Sequence, residues 1–103
     1  MDINLFRPCN QSGAGGSIAV SGSNQNTTPD FQPSPKQSMS ILITNSGTDV
    51  VMVEFGANAS ATTSTPILPN DKQIFSWIPG ETFGVIGVAG SGSTAYWKLG
   101  YGA

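Results

Sequence analysis

Six carboxylates, one thiol and nine aromatic rings are the groups in this 103-residue chain equipped for chemistry. Asp49, Glu54, Asp71 and Glu81 stand well apart, and none has a second carboxylate or an Arg cluster beside it, so the sequence spells out no general acid and base pair. The chain has no His, which removes the usual base near neutral pH and the commonest metal ligand. Cys9 has only Arg7 nearby to activate it, and a single Cys can form neither an intrachain disulfide nor a thiolate zinc cluster. Gly84-Val-Ile-Gly87, with Gly90 and Gly92, has the glycine density of a phosphate-cradling loop. No Lys-Ser or Lys-Thr follows it and no helix begins there, so these glycines read as strand bulges and a hairpin tip. The expectation is a non-enzyme with no catalytic residue, no metal and no cofactor.

Trp77, Phe83, Tyr96, Trp97 and Tyr101 form the one aromatic cluster. Such rings can line a sugar-binding face, or fill the core or an interface of a small β-protein. Tyr96 and Trp97 are adjacent, so on a strand they point to opposite sides and only one of them faces the core.

Four basic residues against six acidic ones cannot build a phosphate-binding stripe, which argues against a nucleic-acid partner. Ser, Thr, Asn and Gln number 34, a third of the chain, while charge falls on 10% of it. Average proteins carry charge at about 25% of positions, so uncharged hydroxyls and amides wet this surface. Asn10-Gln-Ser12, Asn26-Thr-Thr28 and Asn58-Ala-Ser60 match the N-glycosylation pattern, which chance supplies in so Asn- and Ser-rich a chain. No signal peptide or run of 18 apolar residues is apparent, giving the expectation of a protein made in the cytosol with no membrane contact.

The elements that must position these groups are strands. Gly or Pro interrupts nearly every dozen residues, and Thr, Val and Ile outnumber the good helix formers. Ser38–Thr44 and Asp49–Phe55 are rich in β-branched residues, and Asn45-Ser-Gly-Thr48 between them reads as a hairpin turn, the strongest such signal in the chain. Ile41 and Ile43 share one face of the first strand, and Val51, Val53 and Phe55 share one face of the second. Further strands read from Thr65 to Leu68, Lys72 to Trp77, Thr82 to Val88 and Thr94 to Tyr101, with Ile18–Ser21 as a first strand. Pro69-Asn70-Asp71, Pro79-Gly80-Glu81 and Ala89-Gly-Ser-Gly92 supply turns. Seven or so short strands with no crossover helices predict an all-β, single antiparallel β-sandwich or barrel.

Of the 23 Ile, Leu, Val and Phe residues, 17 follow Ser38. Residues 38–103 therefore read as the compact sandwich core, and 1–37 as an extended N-terminal arm and loop-rich region with about one strand. No charge occurs from Phe55 to Asn70 or from Thr82 to Trp97, although monomeric sandwiches protect their edges with charges. Burial against other subunits answers this, and an arm tipped with Ile3, Leu5 and Phe6 on a Gly/Ser spacer fits docking on a neighbour. The candidate partner contacts are Ile3, Leu5, Phe6, Trp77, Trp97 and Tyr101.

The order of features resembles the small β-sandwich virion proteins of tailed bacteriophages, the capsid decoration or cement proteins and related accessories. The residues that carry the resemblance are Ile41-Leu-Ile-Thr-Asn-Ser-Gly-Thr-Asp-Val-Val-Met-Val-Glu-Phe-Gly56, Thr65-Pro-Ile-Leu-Pro69, Ile78-Pro-Gly-Glu-Thr82 and Tyr96-Trp-Lys-Leu-Gly-Tyr-Gly102. They span about residues 38–102, and each piece is turn chemistry that unrelated sandwiches also use. The resemblance implies a jelly-roll-like sandwich, a homo-oligomer (dimer or trimer) that clamps neighbouring major capsid protein subunits, and a place in the virion after synthesis in the host cytoplasm. It carries no catalytic residue across. The alternative is a tail-fibre or baseplate module that binds a host surface glycan through exposed aromatic rings. A catalytic sandwich, such as a lyase, would require carboxylates brought together by the fold.

Overall fold

Alternation decides which side of each strand is buried. In the last strand Ser93, Ala95, Trp97 and Leu99 are buried while Thr94, Tyr96 and Lys98 lie outside, a strict period of two. The computed structural model describes residues 6–9, 11, 13–31, 39–90 and 92–101, and all regular structure among them is strand. The strands are β1 (Arg7–Pro8), β2 (Gly15–Ala19), β3 (Gln25–Thr27), β4 (Met39–Gly47), β5 (Val51–Phe55), β6 (Thr65–Ile67), β7 (Lys72–Trp77), β8 (Phe83–Gly87) and β9 (Ser93–Tyr101).

They form two sheets in which every pairing is antiparallel. One runs β1-β9-β4-β7, with β2 lying on the same side of β9 as β1, and the other runs β3-β8-β5-β6. The pairs are nested: β5 with β6, β4 with β7, β3 with β8 and β2 with β9. The chain is thus one long antiparallel ribbon, residues 15–55 running out and 65–101 running back, rolled so that successive ladders alternate between sheets. That is the topology of a jelly roll, and the all-β antiparallel sandwich expected from the sequence is the fold observed.

One local reading is corrected. β4 and β5 are not a hairpin: β4 pairs with β7 and β9, whereas β5 pairs with β6 and β8 in the other sheet. The segment between them is a corner where the chain crosses the sandwich. The Asn45 amide, fully buried, donates to the main-chain oxygens of Asp49 (2.8 Å) and Ile67 (2.9 Å). The Ser93 hydroxyl accepts from the Asp49 N–H (3.1 Å) and donates to its main-chain oxygen (2.8 Å). The Asp49 carboxylate accepts the Ala89 N–H at 3.0 and 3.1 Å. A hairpin would leave these groups at a solvated tip; the corner buries them and satisfies them from three other segments.

The two proline turns behave as their sequences require. The Asp71 N–H donates to the Leu68 carbonyl (3.1 Å) and the Glu81 N–H to the Ile78 carbonyl (2.9 Å). In each, Pro is followed by a residue of positive φ, Asn70 at 60° and Gly80 at 93°, as a type II turn demands. These turns carry the chain from β6 into β7 and from β7 into β8, crossing between sheets each time.

The core lies between the sheets. Ile41, Ile43, Leu99 and Trp97 face Val51, Val53, Ile67, Phe83 and Val85, so the inward faces read from the sequence for β4 and β5 meet in one interior. Phe75, Phe55, Phe83 and Trp97 form a chain of tilted and edge-on rings with centroids 5.2, 5.8 and 6.1 Å apart, in the range aromatic pairs favour.

The N-terminal third supplies three strands among the described residues rather than about one. β1 and β3 have no apolar alternation to betray them; they are held by pairing with β9 and β8. Ala14, Ile18, Val20 and Phe31 join the core cluster, so residues 14–31 are part of the sandwich. Phe6 and Cys9 are also buried, and the Cys9 N–H donates to the Leu99 carbonyl (2.8 Å).

Candidate functional site

The residues singled out by sequence fall into three groups. Ile3 and Leu5 lie outside the described residues. Phe6 and Trp77 face inward. Phe6 is covered by its own chain, with its ring over Gly100. Trp77 is 0% exposed and its indole N–H donates to the Glu81 main-chain oxygen at 3.0 Å. Its exposure as a partner contact is corrected: it pairs with Met39 on the inward side of the sheet, where the sandwich needs bulk. Trp97 likewise packs inward, against Gly16, whose missing side chain leaves room for the indole. Of the four candidates among the described residues, Tyr101 alone is open to solvent, at 36%.

Tyr96 belongs to the aromatic cluster read from the sequence but not to its candidate partner contacts, although its adjacency to Trp97 contained the signal. With Trp97 buried, Tyr96 is 52% exposed on the outer face of the sheet. It stands in a row with Ser17 on β2 and Thr44 on β4, and Lys98 and Leu42 form the next row. An open hollow of about 620 Å³ lies over these residues, with room left where Gly15, opposite Lys98, carries no side chain.

The opposite outer face carries an asparagine cluster. The Asn24 amide donates to the side-chain oxygens of Asn26 (3.0 Å) and Asn58 (3.2 Å), and the Asn26 amide to Asn58 (3.1 Å). The cluster rests on Gly84, where any side chain would collide with it. The Asn26 amide nitrogen is thus spent on Asn58, whose Oδ1 accepts from both neighbours. Among the described residues the carboxylates do not converge on a pocket: Asp49 and Glu54 serve the Ala89 N–H and the Ser64 hydroxyl (2.9 Å). Among the described residues no three His, Cys, Asp or Glu side chains gather around a metal-sized space.

The sheet edges are treated unequally. The hydrogen bond from the Asn45 N–H to the Asp71 carbonyl fixes the phase of the β4–β7 ladder. Alternation then turns the N–H and C=O of Gln73, Phe75 and Trp77 toward β4, and those of Lys72, Ile74 and Ser76 outward. At the neighbouring edge the same counting from the Gly56 to Thr82 bond turns Pro66 of β6 outward. Pro66 has no N–H, and its carbonyl accepts from the Gln73 amide at 2.8 Å. One edge is silenced; among the described residues the other is open at Ile74 and Ser76, while the Lys72 N–H is taken by Asp71 Oδ1 at 2.8 Å. Around the open edge, Leu68, Ile74 and Ile78 are 57%, 38% and 59% exposed, one on β7 and one at the proline turn on either side of it.

Comparison with known protein families, curated proteins and solved structures finds no match to this chain.

Proposed function

We propose that this chain is a non-enzymatic structural protein of a phage particle, an oligomeric decoration or cement protein that stabilises the shell by binding major capsid protein. The observation that carries the reading is the open rim: three large apolar side chains, Leu68, Ile74 and Ile78, stand around a strand whose outward backbone groups at Ile74 and Ser76 are unpaired among the described residues. Isolated apolar residues need no explanation, but three around one unprotected edge are what a subunit interface uses. The surrounding hydroxyls and amides lose less on desolvation than charges would. Many weak contacts repeated around an oligomer suffice for firm attachment.

The test is co-sedimentation of the purified chain with capsids that lack it. Binding at hundreds of copies per particle supports cement; a dozen or fewer places the chain at the tail, and no binding sinks the reading. Because Phe6 and Cys9 are built into the fold, the arm is probed by deleting residues 2–5, which removes Ile3 and Leu5. Retained binding by that variant would refute the docking arm.

A second reading, a tail-fibre or baseplate module binding a host glycan, is favoured by Tyr96. An exposed phenol beside Thr44, Ser17 and Lys98 offers a stacking face with hydroxyl and ammonium donors around a hollow of about 620 Å³. Loss of adsorption to host cells in Tyr96→Ala particles would support it; unchanged adsorption would refute it.

A further inference from the structure

We propose that β7 pairs with β7 of a second copy about a two-fold axis at Ile74, fusing the two β1-β9-β4-β7 sheets into one continuous sheet. The inference rests on the reading above that this chain assembles with itself, and it names the surface.

The backbone defines the occupant. Ile74 and Ser76 each present an N–H and C=O, and Lys72 its C=O, along one line without a partner among the described residues, the Lys72 N–H being held by its neighbour Asp71 Oδ1 at 2.8 Å. The ligand that satisfies such a row is another extended strand. An antiparallel copy of the same strand does so with itself. Centred on Ile74, the register sets Ile74 opposite Ile74 of the second copy, and Lys72 opposite Ser76. All three are outward-facing positions, so the two Ile74 residues exchange both bonds and each Ser76 N–H meets a Lys72 carbonyl, while the Lys72 N–H stays with Asp71. The two Lys72 charges stand at opposite ends of the ladder, each across from a hydroxyl, which avoids the like-charge pairing that penalises self-association.

The side chains agree. The two Ile74 residues form a β-branched cross-strand pair on the axis. Extending the register brings each exposed Ile78 opposite Asn70 of the second copy, in the turn that begins at its exposed Leu68. On the inner side, Phe75, left half-buried at the rim, comes beside Gln73 of the second copy.

Other edges are poorer candidates. β6 is closed by Pro66 and Gln73, and β3 is three residues long. β2 also turns alternate backbone groups outward, but its outward residues are Gly15, Ser17 and Ala19, which bring little apolar surface to bury. An isologous β7 pair closes on itself; joining β7 to β2 would continue without limit.

A single strand pair buries area at the low end for specific interfaces, below about 1,200 Å² in total, so the dimer is concentration-dependent. The experiment is sedimentation velocity with light scattering on the full chain from about 1 to 300 µM, a range centred on the affinity such areas give. The dimer fraction is expected to rise across it. Ile74→Lys places two ammonium groups on the axis, and Ser76→Pro removes an outward N–H that no strand of the same chain uses. Each should weaken the dimer at least tenfold, while Ser17→Pro on the β2 edge should leave it unchanged. Circular dichroism and the fluorescence of buried Trp77 verify folding of each variant.

A monomer throughout, open or larger oligomers, or a dimer that survives both β7 substitutions overturns the edge pairing. Capsid co-sedimentation in parallel separates the two proposals. A monomer that binds particles refutes only the dimer, and a dimer that ignores particles refutes only the decoration reading.

Discussion

The side-chain amide of Asn45 spans the sandwich, donating at 2.8 Å to the main-chain oxygen of Asp49 and at 2.9 Å to that of Ile67. It ties the end of β4 to the opposite sheet, and its own Oδ1 is buried without an acceptor role among the described residues. Asn45→Leu removes the orphaned oxygen but takes one donor from each of two buried carbonyls, of which that of Asp49 keeps the Ser93 hydroxyl; each lost bond costs about 0.5–1.5 kcal/mol. A net loss of about 1–3 kcal/mol is expected in urea unfolding followed by Trp fluorescence. Asn45→Asp keeps the shape and loses both donors, so it should be no milder. A loss below 1 kcal/mol in both would show that the corner does not depend on this amide.

Gly87 lies where the Gly90 main chain and the Asp49 carboxylate close over β8. A Cβ there would meet the Gly90 carbonyl oxygen well inside contact distance and Asp49 Oδ2 at 2.7 Å. Gly56, by contrast, has a positive φ, 77°, and nothing lies within 4 Å of its missing Cβ. Gly56→Ala should therefore cost only the left-handed conformation, about 1–2 kcal/mol. Gly87→Ala must displace backbone and break the Ala89 N–H to Asp49 bonds, so it should cost more, about 2–4 kcal/mol. Equal midpoints in thermal melts of the two variants would contradict the packing at the corner.

The strands were legible because their information is local. Lys72–Trp77 is bounded by turn residues on both sides and was read to the residue, and Pro79-Gly80 turns as its types require. Which strand pairs with which is not local. Asn45-Ser-Gly-Thr48 has hairpin composition, yet what decides between a hairpin and a sheet crossing is an acceptor at Ile67 and a hydroxyl at Ser93, 22 and 48 residues beyond Asn45. β1 and β3 were invisible for the same reason, since Arg-Pro and Gln-Asn-Thr become strands only against β9 and β8. At the surface, adjacency predicted that Tyr96 and Trp97 part company, but not which goes inside. Gly16 settles that, because only opposite a glycine is there room for an indole.

Trp77 and Tyr96 divide the aromatic residues between stability and surface. Trp77→Ala empties a fully buried site and strands the Glu81 carbonyl, so about 3–5 kcal/mol should be lost. Tyr96→Ala removes a ring that is half in solvent and should change stability by less than about 1 kcal/mol. Denaturant midpoints measure both. A large effect at Tyr96 would mean that the outer face is part of the folding core and unavailable as a binding platform.

Phe6 and Gly100 form the clasp that keeps the N-terminal strand down. β1 pairs Pro8 with Gly100, and a Cβ at Gly100 would press into the Arg7 carbonyl and come within 2.6 Å of the Phe6 ring. Beneath this clasp lies Cys9, the chain's one thiol, buried and bonded through its N–H to Leu99. Thiol reactivity therefore reports the opening of β1 without unfolding of the sandwich. Gly100→Ala should weaken the clasp by the overpacking penalty of about 1–3 kcal/mol and raise the rate of Cys9 labelling by an aromatic disulfide reagent roughly five- to a hundredfold. Deleting residues 2–5 leaves Phe6 in place and should leave that rate unchanged. If the deletion accelerates labelling as much as Gly100→Ala does, the segment is held from its far end, and the contact between Phe6 and Gly100 is not what fixes it.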